Sequence, residues 1–92
     1  MKVISKYATV ICNHFQINKP ALKSKNRKLD EARKWFYYLC RTNGIKEEEI
    51  AKYIGRDRTT INIVFSRFNK RVDRFKALKD KKEIILNETK IN

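Results

Sequence analysis

The residues around Gly55 constrain the fold of this chain more than any other feature. Ala51 lies four residues before Gly55, and Ile61 lies six residues after it. Glycine readily takes the positive φ that a tight turn between two helices requires. A small residue at position 51 lets two helices touch, and an apolar residue at position 61 anchors the second helix. The spacing therefore predicts two helices packed across a short turn, with Asp57 or Thr59 capping the second helix.

Apolar residues recur at three- and four-residue steps along most of the chain, as they do on one face of an α-helix. One Pro and two Gly leave few breaks in 92 residues. We therefore predict an all-α fold, a small bundle of four to six helices. The predicted helices cover residues 3–15, about 29–42, 46–53 and about 57–75, and Pro20 is placed to open a short helical turn between the first two.

Most aromatic residues fall on the same helical stripes as the aliphatic ones, which predicts a packed core. The aromatic residues assigned to that core are Trp35, Phe36, Phe65, Phe68 and Phe75. For Tyr37, Tyr38 and Tyr53 the pattern leaves open whether the hydroxyl groups reach the surface. Cys12 and Cys40 lie on apolar faces, and without a secretion signal we expect core packing rather than a disulfide.

The C-terminal segment has a less regular pattern. We assign residues 1–76 to one domain and residues 77–92 to a basic tail. The tail mixes lysines with Leu78, Ile84, Ile85 and Ile91. This pattern leaves open whether the tail extends a helix, packs on the core or frays. Because lysines interrupt the apolar stripe, we favour a partly ordered tail over a helix that pairs with a partner protein.

The charge of the chain points to a polyanionic partner. Its 23 Lys and Arg against 10 Asp and Glu give a net charge of +13. An anionic membrane is the rival partner, but no apolar stretch approaches the roughly 20 residues that span a bilayer. Residues 1–6 also lack the apolar core of a signal peptide. We therefore expect a cytoplasmic protein that binds nucleic acid and not a membrane.

Catalytic and metal-binding patterns are weak. His14 is the only histidine, and no general base, nucleophile and orienting group converge in the sequence. Cys12 and His14 are two residues apart and would diverge by about 200° on a helix, a poor geometry for zinc. We expect no enzymatic activity, no metal, no cofactor and no small-molecule substrate. The sequence does not indicate an oligomeric state.

The segment after Gly55 has the chemistry of a DNA-reading helix. Arg56 and Arg58 stand at the entrance of the predicted helix, where a phosphate or a guanine edge would be attracted. Together with the spacing of Ala51, Gly55 and Ile61, this segment resembles the helix-turn-helix of DNA-binding proteins.

Four segments in the right order extend this resemblance to the C-terminal DNA-binding domain of DnaA, the bacterial chromosomal replication initiator. Residues 10–17 are similar to the opening helix of the family and its aromatic-x-isoleucine exit, and residues 22–28 to its basic loop. Ala32-Arg33 matches an Ala-Arg pair at the start of its long helix. Gly55-Arg56-Asp57-Arg58-Thr59-Thr60, preceded by Glu49-Ile50-Ala51, is close to the family signature Gly-Arg-Asp-His-Thr-Thr. The resemblance covers roughly residues 3–75.

The resemblance implies double-stranded DNA as the partner, with the recognition helix in the major groove and the basic loop on the backbone or in the minor groove. Threonine methyl groups and arginine guanidinium groups suit base reading chemically. The DNA-binding residues it implies, with those predicted on the same helix face, are Lys25, Arg27, Lys28, Arg33, Arg56, Asp57, Arg58, Thr59, Thr60, Asn62, Ile63, Ser66, Arg67 and Lys70.

Three departures from the family pattern bear on which DNA sequence is read. Arg58 replaces the family histidine, one glycine precedes Arg56 where many relatives have two, and the basic loop is shorter, with Leu29 near the place of a second arginine. The sequence has no glycine-rich phosphate loop of an ATPase. We therefore expect a stand-alone DNA-binding domain in transcription or replication control. The alternatives are an RNA-binding module and a protein-interaction adaptor.

Overall fold

The computed structural model describes residues 3–24 and 26–91, with side chains up to residue 89. These residues form an all-α fold, as predicted. The helices are α1 (Val3–Phe15), α2 (Lys19–Lys23), α3 (Asp30–Thr42), α4 (Glu47–Ile54), α5 (Arg58–Arg74) and α6 (Lys76–Ile91), with a 3-10 turn at Arg27–Leu29.

Local chemistry sets several helix ends. The Asn18 side chain caps α2 by accepting a 2.9 Å hydrogen bond from the N–H of Ala21, and Pro20 occupies the first turn, as predicted. At the end of α3, Gly44 takes a φ of 84°. The three glutamates in the first turn of α4 lie near the positive end of the helix dipole.

Helix α3 lies at the centre of the molecule and is buried on nearly all sides. Trp35 and Phe36 are fully buried, and the ring of Trp35 meets Phe68 of α5 edge-on at 4.8 Å. Tyr37 and Tyr38 are also buried, at 3% and 4% exposure. The question that the sequence left open for these two tyrosines is therefore resolved in favour of the core, while Tyr53 is partly buried.

Two sequence-based expectations on α5 are wrong. Phe75 is 50% exposed, because it follows the last residue of the helix and its backbone is extended (φ −104°, ψ 124°), which turns the side chain off the buried stripe. Asp57 does occupy the N-cap position, but its side chain makes no capping hydrogen bond. Thr59 lies inside the helix and is exposed.

The C-terminal tail forms α6, which packs against α1 and α5. Ile85 is buried at 1% exposure, whereas its neighbour Ile84 is 52% exposed. His14 of α1 and Glu88 approach to 3.0 Å between Nδ1 and Oε1. Among the possibilities that the sequence left open for this segment, the described residues show a helix that packs on the core. The side chain of Ile91 lies outside the described residues.

Cys12 and Cys40 are both buried free thiols, as predicted. Burial raises the pKa of Cys40 far above its ordinary value, so this thiol stays neutral. Within the described residues, none of the helices has both the length and the apolar character needed to cross a bilayer.

Candidate nucleic-acid interface

The turn between α4 and α5 fixes the start of α5 on the body of the protein. Gly55 takes a left-handed conformation with φ 76°. Its N–H donates to the carbonyl of Ala51 at 2.9 Å, and the N–H of Arg56 donates to the same carbonyl at 3.1 Å. Ala51 and Ile61 are buried where α4 and α5 pack together. The helix-turn-helix predicted from the spacing of these residues is therefore present.

Helix α5 has one buried face and one polar face. Ile61, Phe68 and Val72 are buried in the core. On the opposite side, residues separated by three or four positions are exposed together. This exposed face consists of Thr59, Thr60, Ile63, Ser66, Arg67 and Lys70. Asn62 is exposed at its edge. We call these seven residues the α5 face.

The residues at the N-terminus of α5 are also accessible. Asp57 is exposed, and its carboxylate does not cap the helix. The Arg58 side chain is 63% exposed, and its Nη1 lies 3.0 Å from Oε1 of Glu48 in α4. The sequence reasoning missed Glu48, because a glutamate in a first helical turn is already accounted for by the helix dipole.

The basic loop precedes α3 and is stabilised by its own side chains. Asn26 caps the 3-10 turn by accepting a 3.0 Å hydrogen bond from the N–H of Lys28. Arg27 and Lys28 are exposed on this turn. Lys25, the third predicted contact, lies outside the described residues.

Arg33 has a different environment from the one predicted. The sequence analysis placed it among the DNA-binding residues, but the side chain is buried, with 4% of the residue exposed. Its guanidinium donates to the carbonyls of Ser24 (2.5 Å) and Asn26 (2.6 Å) and to the carboxylate of Asp30 (2.5 Å). The hydrogen bond from Arg33 to the Asp30 carboxylate holds the pKa of Asp30 below its ordinary value. Arg33 is therefore removed from the expected DNA-binding set, because its donors are directed at the basic loop.

Arg56 links the basic loop to the turn. Its Nη2 donates to the Ser24 carbonyl at 2.9 Å, so this oxygen accepts from Arg56 and Arg33 together. Arg56 also lies beside the buried hydroxyl of Tyr37, whose pKa is raised by burial. Nothing in the sequence signals this junction, since its acceptor is a backbone oxygen 32 residues away. The loop and the start of α5 are thus held at a fixed relative position.

The arrangement therefore presents two groups of accessible residues on one rigid frame: the α5 face with Asp57 and Arg58, and the basic loop with Arg27 and Lys28. Exposed cations and hydroxyl groups of this kind contact phosphates and base edges. Arg56 is partly buried, and its guanidinium donates a hydrogen bond to the Ser24 carbonyl within this frame.

Comparison with known proteins agrees with this architecture. Residues 4–64 match the family described as the bacterial dnaA protein helix-turn-helix, a match that runs from α1 into the middle of α5. No curated protein and no solved structure matches the chain. The family implies double-stranded DNA binding and is not catalytic. With the helix-turn-helix in place and residues 4–64 matched, the chain belongs to the bacterial DnaA helix-turn-helix family.

Proposed function

We propose that the chain reads sequence in double-stranded DNA, with α5 in the major groove and the basic loop on the adjacent backbone or minor groove. The α5 face carries this proposal, because its seven residues are exposed on the side of α5 away from Ile61, Phe68 and Val72. The function would serve transcription or replication control.

The residues at the start of α5 have the chemistry for base reading. Arg58 pairs with the two acceptors of guanine, Asp57 accepts from cytosine, and the methyl groups of Thr59 and Thr60 suit the methyl group of thymine. Ile63, 45% exposed among polar neighbours, offers a second apolar contact.

Cations further along the molecule would position the protein on the backbone. Arg67 and Lys70 continue the α5 face, and Arg27 and Lys28 extend from the loop. Contacts between such cations and phosphates are independent of sequence and release counterions. They supply affinity, while the start of α5 supplies discrimination.

Fluorescence anisotropy tests this proposal with a duplex carrying a DnaA-type box and a scrambled duplex, each titrated at low and moderate salt. With about six phosphate contacts, log affinity falls against log salt with a slope near −5. Binding to the box that stays tighter as salt rises establishes base reading. Equal binding to both duplexes would show that the protein has no specificity for this box. Absence of binding at either salt concentration would contradict the proposal.

Variants of the proposed base-reading residues sharpen the test. Arg58→Ala and Thr60→Ala should each reduce discrimination by about 1–3 kcal/mol. Lys79→Ala is a control, because Lys79 is an exposed cation of α6 outside the α5 face. A structured RNA that competes far better than any duplex would instead favour an RNA-binding module.

A further inference from the structure

Glu48 and Arg58 form an ion pair at the point where α5 begins. Glu48 lies in the first turn of α4, and Arg58 is the first residue of α5. The pair joins Glu48 Oε1 to Arg58 Nη1 at 3.0 Å, with both side chains more than half exposed, at 64% and 63%. The carboxylate therefore occupies a guanidinium donor that the proposed function assigns to a base.

The neighbouring glutamates differ from Glu48 in their partners. Glu47 pairs with Arg41 at 3.7 Å, on the flank of α4 that faces α3. Glu49 is exposed and, within the described part of the chain, has no ion pair. Of the three acidic residues in this turn, Glu48 is the one in contact with the start of the recognition helix.

The exposure of the pair makes it exchangeable. An ion pair open to solvent contributes little and is screened by salt, so a stronger acceptor is able to replace the carboxylate. A guanine edge and a phosphate each offer the guanidinium fork two acceptors, but the phosphate is an anion and the guanine edge is neutral. The carboxylate of Glu48 therefore repels a phosphate that approaches Arg58, and it does not repel a neutral guanine edge in the same way.

We propose that Glu48 is a specificity-determining residue, which holds Arg58 away from the phosphates of arbitrary DNA and releases it to a matching base edge. The inference rests on the proposed function, because it requires Arg58 to face DNA. Glu48 offsets the positive charge of Arg58 until the matching base is present.

The test compares wild type, Glu48→Gln and Glu49→Gln on one duplex of arbitrary sequence, by anisotropy over a range of salt concentrations. Releasing Arg58 adds one phosphate contact, so Glu48→Gln should steepen the slope of log affinity against log salt by about 0.9. At the lowest salt it should tighten binding about three-fold, the factor expected for an exposed ion pair. Glu49→Gln makes the same change in net charge without freeing a cation and should leave the slope at the wild-type value.

A second background separates pairing from a general charge effect. With Arg58→Gln in place, Glu48→Gln and Glu49→Gln should behave alike, because no guanidinium is left to release. Equal slopes for these two variants in the wild-type background, while wild type binds DNA, would overturn the role of Glu48 and leave the proposed function standing. A wild-type protein that binds no duplex would contradict the proposed function itself.

Discussion

Arg33 carries its charge into the protein interior beside the basic loop. Its guanidinium is surrounded by two backbone carbonyls and the carboxylate of Asp30. A buried cation is tolerated only where acceptors satisfy its donors, and here they come from the loop itself. Arg33 therefore holds the conformation in which Arg27 and Lys28 are exposed.

Replacing Arg33 should affect folding, whereas replacing Arg27 should affect DNA binding. Arg33→Ala removes one donor from each of the Ser24 and Asn26 carbonyls and the partner of the Asp30 carboxylate, and it should lower the free energy of unfolding by about 2–4 kcal/mol. Arg27→Ala removes an exposed side chain and should change it by no more than about 0.5 kcal/mol. Urea-induced unfolding of the two variants measures the difference. Similar unfolding free energies for both variants would show that Arg33 does not stabilise the loop.

The contrast between these two arginines explains what sequence reasoning missed at this scale. Residue type predicted that the loop at residues 22–28 is basic, and the resemblance to the DnaA family placed this loop and Arg33 at the DNA. They did not predict which cation is buried, because the acceptors of Arg33 are backbone oxygens of Ser24 and Asn26 whose direction depends on the loop conformation. The exposed position of Arg58 was predictable, whereas its pairing with Glu48 was not, because the helix dipole already accounts for a glutamate in a first helical turn.

The α4–turn–α5 unit was the most predictable element, because its determinants lie within a few residues of each other. Ala51, Gly55 and Ile61 each occupy the environment that their spacing predicts. In contrast, the sequence left open whether α6 is a packed helix, since lysines interrupt its apolar stripe. Two of these lysines lie over aromatic rings: Lys81 Nζ is 4.6 Å from the centre of the Phe15 ring, and Lys82 Nζ is 5.8 Å from that of Tyr38. A lysine can pack on the core through its alkyl chain while its ammonium group lies over an aromatic ring, so no apolar side chain is needed at that position.

The turn depends on the left-handed conformation of Gly55. Gly55→Ala should lower the free energy of unfolding by about 1–2 kcal/mol, because φ 76° is strained for a residue with a β-carbon. An added β-carbon meets no atom within 4 Å outside residues 54–56, so the cost comes from the local backbone conformation and not from a clash with another part of the fold. Gly55→Asn is the matched control, since asparagine tolerates this region better and should cost less. Chemical denaturation of the three proteins measures both changes, and an alanine variant as stable as the asparagine variant would contradict the explanation.

At the scale of the whole molecule, α6 joins the C-terminal part of the described chain to the same core as the other helices. It contacts α1 and α5, so that the two ends of the described chain pack against each other in a body of 30 × 27 × 26 Å. Its contacts include the His14–Glu88 pair and Ile85, which belongs to the same core cluster as Trp35 and Phe68. The division of the chain at residues 76 and 77 stays a prediction, although the helix beyond it packs on the same core.

Two adjacent isoleucines test how much α6 contributes to the whole molecule. Ile85→Ala removes a buried side chain and should lower the free energy of unfolding by about 2–4 kcal/mol. Ile84→Ala changes an exposed one in the same helix and should shift it by no more than about 0.5 kcal/mol. Thermal and urea unfolding followed by circular dichroism compare the two. If Ile85→Ala is as stable as Ile84→Ala, α6 contributes little to the core.

The oxygen that joins the basic loop to the turn belongs to the main chain of residue 24. Every amino acid supplies that carbonyl, so no side-chain replacement at this position deletes the junction. Arg27 and Lys28 are exposed and take no part in it, which leaves them free to diverge. A lineage of such proteins is therefore able to acquire new target preferences by point substitution in the loop, while the distance between the loop and the recognition helix is inherited unchanged.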